Sequence, residues 1–197
     1  MSGRSFVLIQ HDVRTDAEFS IDGTANNGRL DIGCRFLNSV LFTSYSLRRD
    51  VDAHLIFKGP PDPPLHLHFS GKKISGLHPD ERSIAGYIKK NLKSFENRSV
   101  TANKGVMIDR RNLETLLKDL EGRPVLLHEE GESINSFETP ENPVFVLGDH
   151  LGIEEEEIDL IESLDCAKMS LGTQSYQAQQ VASFLNIWMD MQAEGQT

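Results

Sequence analysis

Three polar side chains in the stretch GRLDIGCRFLNS have the spacing to act together. Asp31, Arg35 and Asn38 stand at i, i+4 and i+7, so a helix would present a carboxylate, a guanidinium and an amide along one side. Arg48, Arg49 and Asp50 follow, just before an apolar run. Two chemistries suit this set. One is a surface ion pair between Asp31 and Arg35, which stabilises a helix by only about 0.3–0.5 kcal/mol. The other is an RNA site, in which arginines grip phosphates while a positioned carboxylate meets a base N–H.

A second constellation lies late in the chain, where LLHEEG, FVLGDHLG and MSLGTQ each end an apolar run in glycine-bearing sequence. Taken singly, Gly131, Gly148, Gly152 and Gly172 need do no more than turn the chain. Three such junctions in the last seventy-odd residues point instead to a shared pocket, because the carboxyl ends of parallel strands open into one crevice. Neither GxGxxG nor GxxxxGK[ST] occurs, so a dinucleotide or nucleoside triphosphate held in those ways is not expected. A pocket of backbone loops beside negative charge is compatible with a cationic adenosine compound such as S-adenosylmethionine.

Other chemistries find little support. His66 and His68 alternate as HLH and would share one strand face, with His11, His54, His78, His128 and His150 elsewhere. No HExxH-type spacing supplies a third ligand, so no metal is expected. No GxSxG occurs, and Cys34 and Cys166 belong to no CxxC pair, which suits packed thiols in a reducing cytoplasm. The N-terminal apolar run is too short for a signal peptide, and nothing approaches a membrane span.

The elements that must carry these groups alternate between strand and helix, which predicts an α/β architecture with a largely parallel sheet. Strands are expected at 5–11, 51–57, 124–131, 143–148 and 166–172, with helices over 28–45, 78–95, 154–164 and 176–192. Within the first helix Leu30, Cys34, Leu37 and Leu41 form the apolar stripe. GPPDPP reads as a loop, LHLHFSG and KKISG as a hairpin, and 96–112 as a mobile polar loop with a short strand near 105–108. A short helix follows in NLETLLKDLEG, and Glu154–Glu157 reads as a solvated helix start. Length suits one domain over 1–197. Charge divides it: residues 1–111 hold 17 Lys+Arg against 12 Asp+Glu, while 112–197 hold 3 against 18, within a formal net charge of −10. Phosphate binding follows local potential, so the basic half can hold RNA despite the total. Lys72, Lys73, Lys89, Lys90 and Lys93 would extend that basic face.

Along nearly its whole length the chain resembles the SPOUT-superfamily pseudouridine N1-methyltransferases of the TrmY type, which act on pseudouridine 54 of archaeal tRNA. The matching stretches are GRLDIGCRFLNSVLF, SLRRDV, GPPDPPLHLHFSG, HPDERSIAGYIKK, LLHEEGE, ENPVFVLGDHLGI and KMSLGTQSYQAQQ. The resemblance implies a SPOUT-type α/β fold with a C-terminal deep trefoil knot, a homodimer, a tRNA substrate and S-adenosyl-L-methionine as cofactor. It implies a cofactor site of Leu127 and Gly131, then Leu147 and Gly148, then Met169, Ser170, Leu171, Gly172, Thr173 and Gln174. Pseudouridine carries an N1–H that uridine lacks, and methylation requires that proton to leave. Asp31 is the candidate proton acceptor with Arg35 beside it, and Arg29, Arg48 and Arg49 are candidate RNA contacts. Two departures, Val181 where archaeal members carry a cysteine and Phe36 where they carry CRC, suggest the bacterial branch. An RNA-binding protein that keeps the knot without turnover, or a methyltransferase for another base, is the alternative.

Overall fold

The computed structural model describes residues 3–95 and 101–195. Its elements run β1 (Arg4–Gln10), α1 (Leu30–Leu41), β2 (Val51–Phe57), β3 (Leu65–Ser70), α2 (Glu81–Phe95), β4 (Thr101–Asn103) and β5 (Val106–Asp109). They continue with α3 (Leu113–Asp119), β6 (Arg123–Ser133), β7 (Pro143–Gly148), α4 (Glu155–Glu162), β8 (Ala167–Ser170) and α5 (Ala178–Gly195). All eight strands join one sheet in the order β4-β5-β3-β2-β1-β7-β6-β8. The pairings β2–β1, β1–β7, β7–β6 and β6–β8 are parallel, and those on the β3 side are antiparallel. The α/β expectation holds, and the parallel half carries the strand ends of interest.

Continuous apolar runs in β1 and β7 reflect a sheet covered on both faces. Phe6 and Leu8 of β1 pack with α1, α2 and α5, while Val7 and Ile9 face α3 and α4. Phe6 and Phe145 meet across β1 and β7 with ring centroids 5.2 Å apart. Leu30, Cys34, Leu37 and Leu41 are all fully buried, as the helical stripe requires. Each such leucine contributes about 1.5–3 kcal/mol by leaving water.

Several boundaries differ from the sequence-based expectation. Helix α1 begins at Leu30, because Gly28 (φ 53°) and Arg29 (φ 63°) are left-handed. A Cβ on Gly28 would lie 1.9 Å from the Asp12 carbonyl oxygen. KKISG is not a hairpin partner: the Lys73 and Ile74 amides both donate to Ser70 O, making a turn, and β3 pairs with β2 and β5. Part of the loop expected over 96–112, residues 96–100, lies outside the described residues; the remainder holds β4 and β5. The acidic start of α4 is not simply solvated. Glu157 is buried and forms a reciprocal capping box with Glu154.

Helix α5 is anchored on β1 by charge. Arg4, only 4% exposed, reaches Asp50 and Asp190 at 2.9 and 2.5 Å, and Arg48 donates twice to Asp190 at 3.1 and 2.7 Å. A buried guanidinium is tolerated there because both terminal nitrogens have carboxylate or carbonyl partners, leaving only Nε without one.

Candidate active site

The carboxyl ends of β6, β7 and β8 open on one cleft of about 360 Å³. That volume falls in the range of about 300–1,000 Å³ common to small-molecule sites. Leu127, His128 and Glu129 line it from β6, and Leu147, Gly148, Asp149 and Gly152 from β7 and the turn after it. Met169, Leu171, Gly172, Thr173 and Gln174 come from β8 and its exit, with Ala178 and Val181 from α5. Eight of the ten residues named for the cofactor therefore line one cavity.

Gly131 and Ser170 do not line it. Strand β6 pairs Leu127 and then Glu132 with the same residue, Met169, so 128–131 bulge out of the ladder. A Cβ on Gly131 would meet the Met169 backbone at 2.6 Å; this glycine admits a close backbone crossing beneath the cleft. The Ser170 hydroxyl instead accepts the Gly172 amide at 3.1 Å, holding the left-handed turn (φ 98°) at Gly172. Gly148 is equally constrained, since a Cβ there would lie 1.9 Å from Gly152 O.

The cleft suits a cationic adenosine compound. Leu127, Leu147, Ile158 and Val181 give apolar walls, and Glu129 adds an exposed carboxylate to the lining. The turns at 148–152 and 170–172 leave no room for added side chains at their glycines or hold them left-handed, which keeps backbone accessible to a ligand.

Asp31 stands in the first turn of α1, its side chain only 8% exposed. Arg29 donates to it through Nε at 2.9 Å and Nη2 at 3.1 Å, and Arg35 pairs with Oδ2 from the next turn. Both guanidinium groups are about two-fifths exposed, so the carboxylate lies beneath two cations that face solvent. Asn38 does not join them: its amide donates to Pro79 O. Arg35 and Asn38 instead line a smaller hollow of about 180 Å³ with Cys34, Glu81 and Gln179. Gln179 follows Ala178, which lines the main cleft. Consecutive residues of α5 thus line the two cavities, Ala178 the cleft and Gln179 the Arg35 hollow.

Arg48 and Arg49 are placed differently from Arg29 and Arg35. The Arg48 side chain is 13% exposed and its fork is taken by Asp190. Arg49 donates to Gly71 O and Ile74 O at 2.8 and 2.9 Å. A phosphate at Arg48 would have to displace Asp190, whereas Arg49 is exposed and spends only Nη1 on its two carbonyls. Lys89 caps Phe19, its ammonium 5.3 Å from the ring centroid and bonded to Phe19 O.

The histidines sort into two groups. His54 stacks on His66 and His68, at centroid separations of 5.2 and 4.5 Å, and His66 is bonded to His54 and Asp109. Burial drives the His54 imidazole well below its ordinary range, and burial lowers His66 as well. His11, Glu154 and Glu157 are close enough together for a cation among the described residues, but Lys58 places its ammonium 2.9 and 2.7 Å from the two glutamates. Burial raises the Cys34 thiol to about 12, which leaves it a packing group.

Sequence reasoning overlooked His11, Glu129 and Ile158. His11 directly follows β1, and its relevance appears only because Ile9 pairs with Gly148 in the neighbouring strand.

Comparisons with known proteins agree with this architecture. The family described as "Putative SAM-dependent RNA methyltransferase" matches residues 3–193. The tRNA (pseudouridine(54)-N(1))-methyltransferase of Methanococcoides burtonii is 40% identical, over 98% of this chain and 99% of its own length. That of Thermococcus kodakarensis is 37% identical over 95% and 98%. Among solved structures, Nep1 of Archaeoglobus fulgidus bound to S-adenosylhomocysteine has a TM-score of 0.66, covering 95% of this chain and 96% of its own at 17% identity. That likeness concerns the fold alone.

Proposed function

Because the chain belongs to the family of SAM-dependent RNA methyltransferases, the tRNA (pseudouridine(54)-N(1))-methyltransferases among them, we propose that it methylates N1 of pseudouridine 54 in tRNA. The observation that carries this reading is the convergence of three strand-end junctions on one cleft, with Ala178 lining it and the next residue, Gln179, lining the Arg35 hollow. The cofactor supplies an electrophilic methyl on a sulfonium sulfur. Leu127, Leu147 and Val181 would hold its adenosine portion, with the turns at 148–152 and 170–174 presenting backbone to it.

The work of this chain is orientation and proton management. Asp31 accepts the N1 proton of the target base. In the free protein its oxygens are occupied by Arg29 and Arg35. Both arginines are exposed enough to turn toward phosphate, so RNA docking releases the carboxylate as it draws the guanidinium groups away. Proton acceptance is thereby tied to a bound substrate. Alignment of base and methyl can supply a large share of the remaining acceleration.

The family fold also implies a trefoil knot formed by the segment from β6 to α5, and a homodimer. The dimer is supported by an exposed apolar row on α5, Phe184, Ile187 and Met191. Among the described residues no helix is long and apolar enough to cross a membrane; a cytoplasmic location follows from the tRNA substrate. The assignment to a bacterial branch gains nothing from the relatives, which are archaeal, and rests on Val181 and Phe36 alone. Nucleoside analysis of tRNA from cells lacking the gene tests the function. Loss of N1-methylpseudouridine is the expected outcome. An unchanged profile, with no S-adenosylmethionine binding, favours an RNA-binding protein without turnover.

A further inference from the structure

The turn 148–152 owes its shape to one side chain from a distant part of the chain. The Asp149 carboxylate is fully buried and accepts three donors: the His11 amide at 2.9 Å, the Leu151 amide at 2.9 Å, and the His11 Nδ1 at 3.2 Å. The other ring nitrogen of His11 faces Glu157 Oε2 at 3.1 Å. A neutral imidazole has one donor and one acceptor, so between two carboxylates it would leave an acceptor facing an acceptor. Only the imidazolium donates to both.

We infer that His11, held as an imidazolium between Asp149 and Glu157, is a positioning residue that sets the turn 148–152 and thereby the β7 wall of the cofactor cleft. The inference rests on the reading that this cleft takes S-adenosylmethionine. His11 faces Asp149 from the turn, Glu157 of α4 and Glu154 at its N-cap, while Lys58 after β2 pairs with both glutamates and His150 lies against Asp149. Burial lowers the His11 titration and the two carboxylates raise it, with the net direction upward from 6.5. The clamp is therefore complete in mild acid and weakens as pH rises through the folded value. Deprotonation costs one of the two bonds and leaves three carboxylates with Lys58 and His150 as their neighbours. The cleft wall then loosens, so adenosine ligands bind less tightly in alkali.

The test is calorimetric titration of the full chain with 5′-methylthioadenosine, which lacks the amino acid group and so carries no titration of its own between about pH 6 and 9. Affinity should fall by about five-fold or more over that span. His11→Gln should bind weakly and without pH dependence, and Glu157→Gln should move the fall to lower pH. A flat wild-type profile, or a wild-type slope retained in H11Q, overturns the inference. If H11Q does not fold, proton NMR of the wild-type His11 ring replaces it: ligand must raise that titration, by reciprocity, and an unmoved ring overturns the inference. Thr173→Trp, which fills the cleft rim, separates the two readings. Ligand binding lost in T173W but unchanged in H11Q sinks the role of His11 alone. Binding unaffected by T173W sinks the cleft assignment as well.

Discussion

Arg29 folds back on Asp31 from a left-handed backbone, its Nε 2.9 Å from Oδ1 and its Nη2 3.1 Å from Oδ2. A guanidinium two residues before a carboxylate would point elsewhere if α1 simply continued upstream. The turn at Gly28 and Arg29 therefore decides that the carboxylate is masked in the free protein.

Removing the acceptor tests the chemistry directly. Asp31→Asn keeps the size of the side chain but accepts a proton poorly. Single-turnover methylation of tRNA should slow by about 10²- to 10⁴-fold, with S-adenosylmethionine affinity retained. A rate within a few-fold of wild type would remove Asp31 from the mechanism.

Arg29, Arg35 and Arg48 should divide into two classes. Arg29→Gln and Arg35→Gln should each lower the salt dependence of tRNA binding by about one unit of slope. Arg48→Gln should instead cost about 1–3 kcal/mol of stability, because it strips Asp190 of a bidentate partner. Denaturant titration beside filter binding at several salt concentrations distinguishes them. Equal salt slopes for all three variants would refute the division.

Glycine substitutions should separate the cleft from the scaffold. Gly148→Ala places a Cβ 1.9 Å from Gly152 O, and Gly131→Ala one 2.6 Å from the Met169 backbone. Both should abolish cofactor binding. Gly86, within α2, has open space around it, so Gly86→Ala should raise stability by about 0.5–1 kcal/mol. Thermal melting and calorimetry read the two effects.

Stability should fall in mild acid for a reason independent of the carboxylates. His54 titrates well below 6.5 in the folded state because it is buried, and His66 is lowered too. The unfolded chain takes up those protons first. Their contribution is therefore full above pH 6.5 and is lost as pH falls from there toward the folded values. His11 has the opposite sign, and its contribution is lost only as pH rises. Melting temperature should drop below pH 6.5, and His54→Leu should flatten that limb; an unchanged limb would exclude His54 as its source.

The apolar row on α5 predicts association. Ile187→Lys should shift the sedimentation coefficient toward that of a monomer. An unaltered coefficient would place any dimer contact elsewhere.

Much of this could be read from local order. The stripe Leu30, Cys34, Leu37 and Leu41 is a property of neighbours three and four apart, and it located α1. The runs before Gly148 and after Cys166 marked strands, and eight of ten residues chosen near those ends line one cleft. Local order failed where distant groups compete. Asn38 has helical spacing to Arg35, yet its amide is taken by Pro79 O; Arg48 reads as a surface cation, yet Asp190 from the last helix claims it.

Amino-acid order by itself determined the strand and helix pattern, the separation of basic and acidic halves, and the glycine junctions, because each depends on residues adjacent in the chain. The tertiary structure alone decided that Asp31 is masked by Arg29, that Gly131 serves a backbone crossing, and that His11 meets Asp149 and Glu157. The first follows from the left-handed turn at Gly28 and Arg29, and the other two from the sheet order, which sets β8 beside β6 and β7 beside β1. Periodicity carries no record of which strand becomes whose neighbour, since that choice is made by burial summed over the whole core.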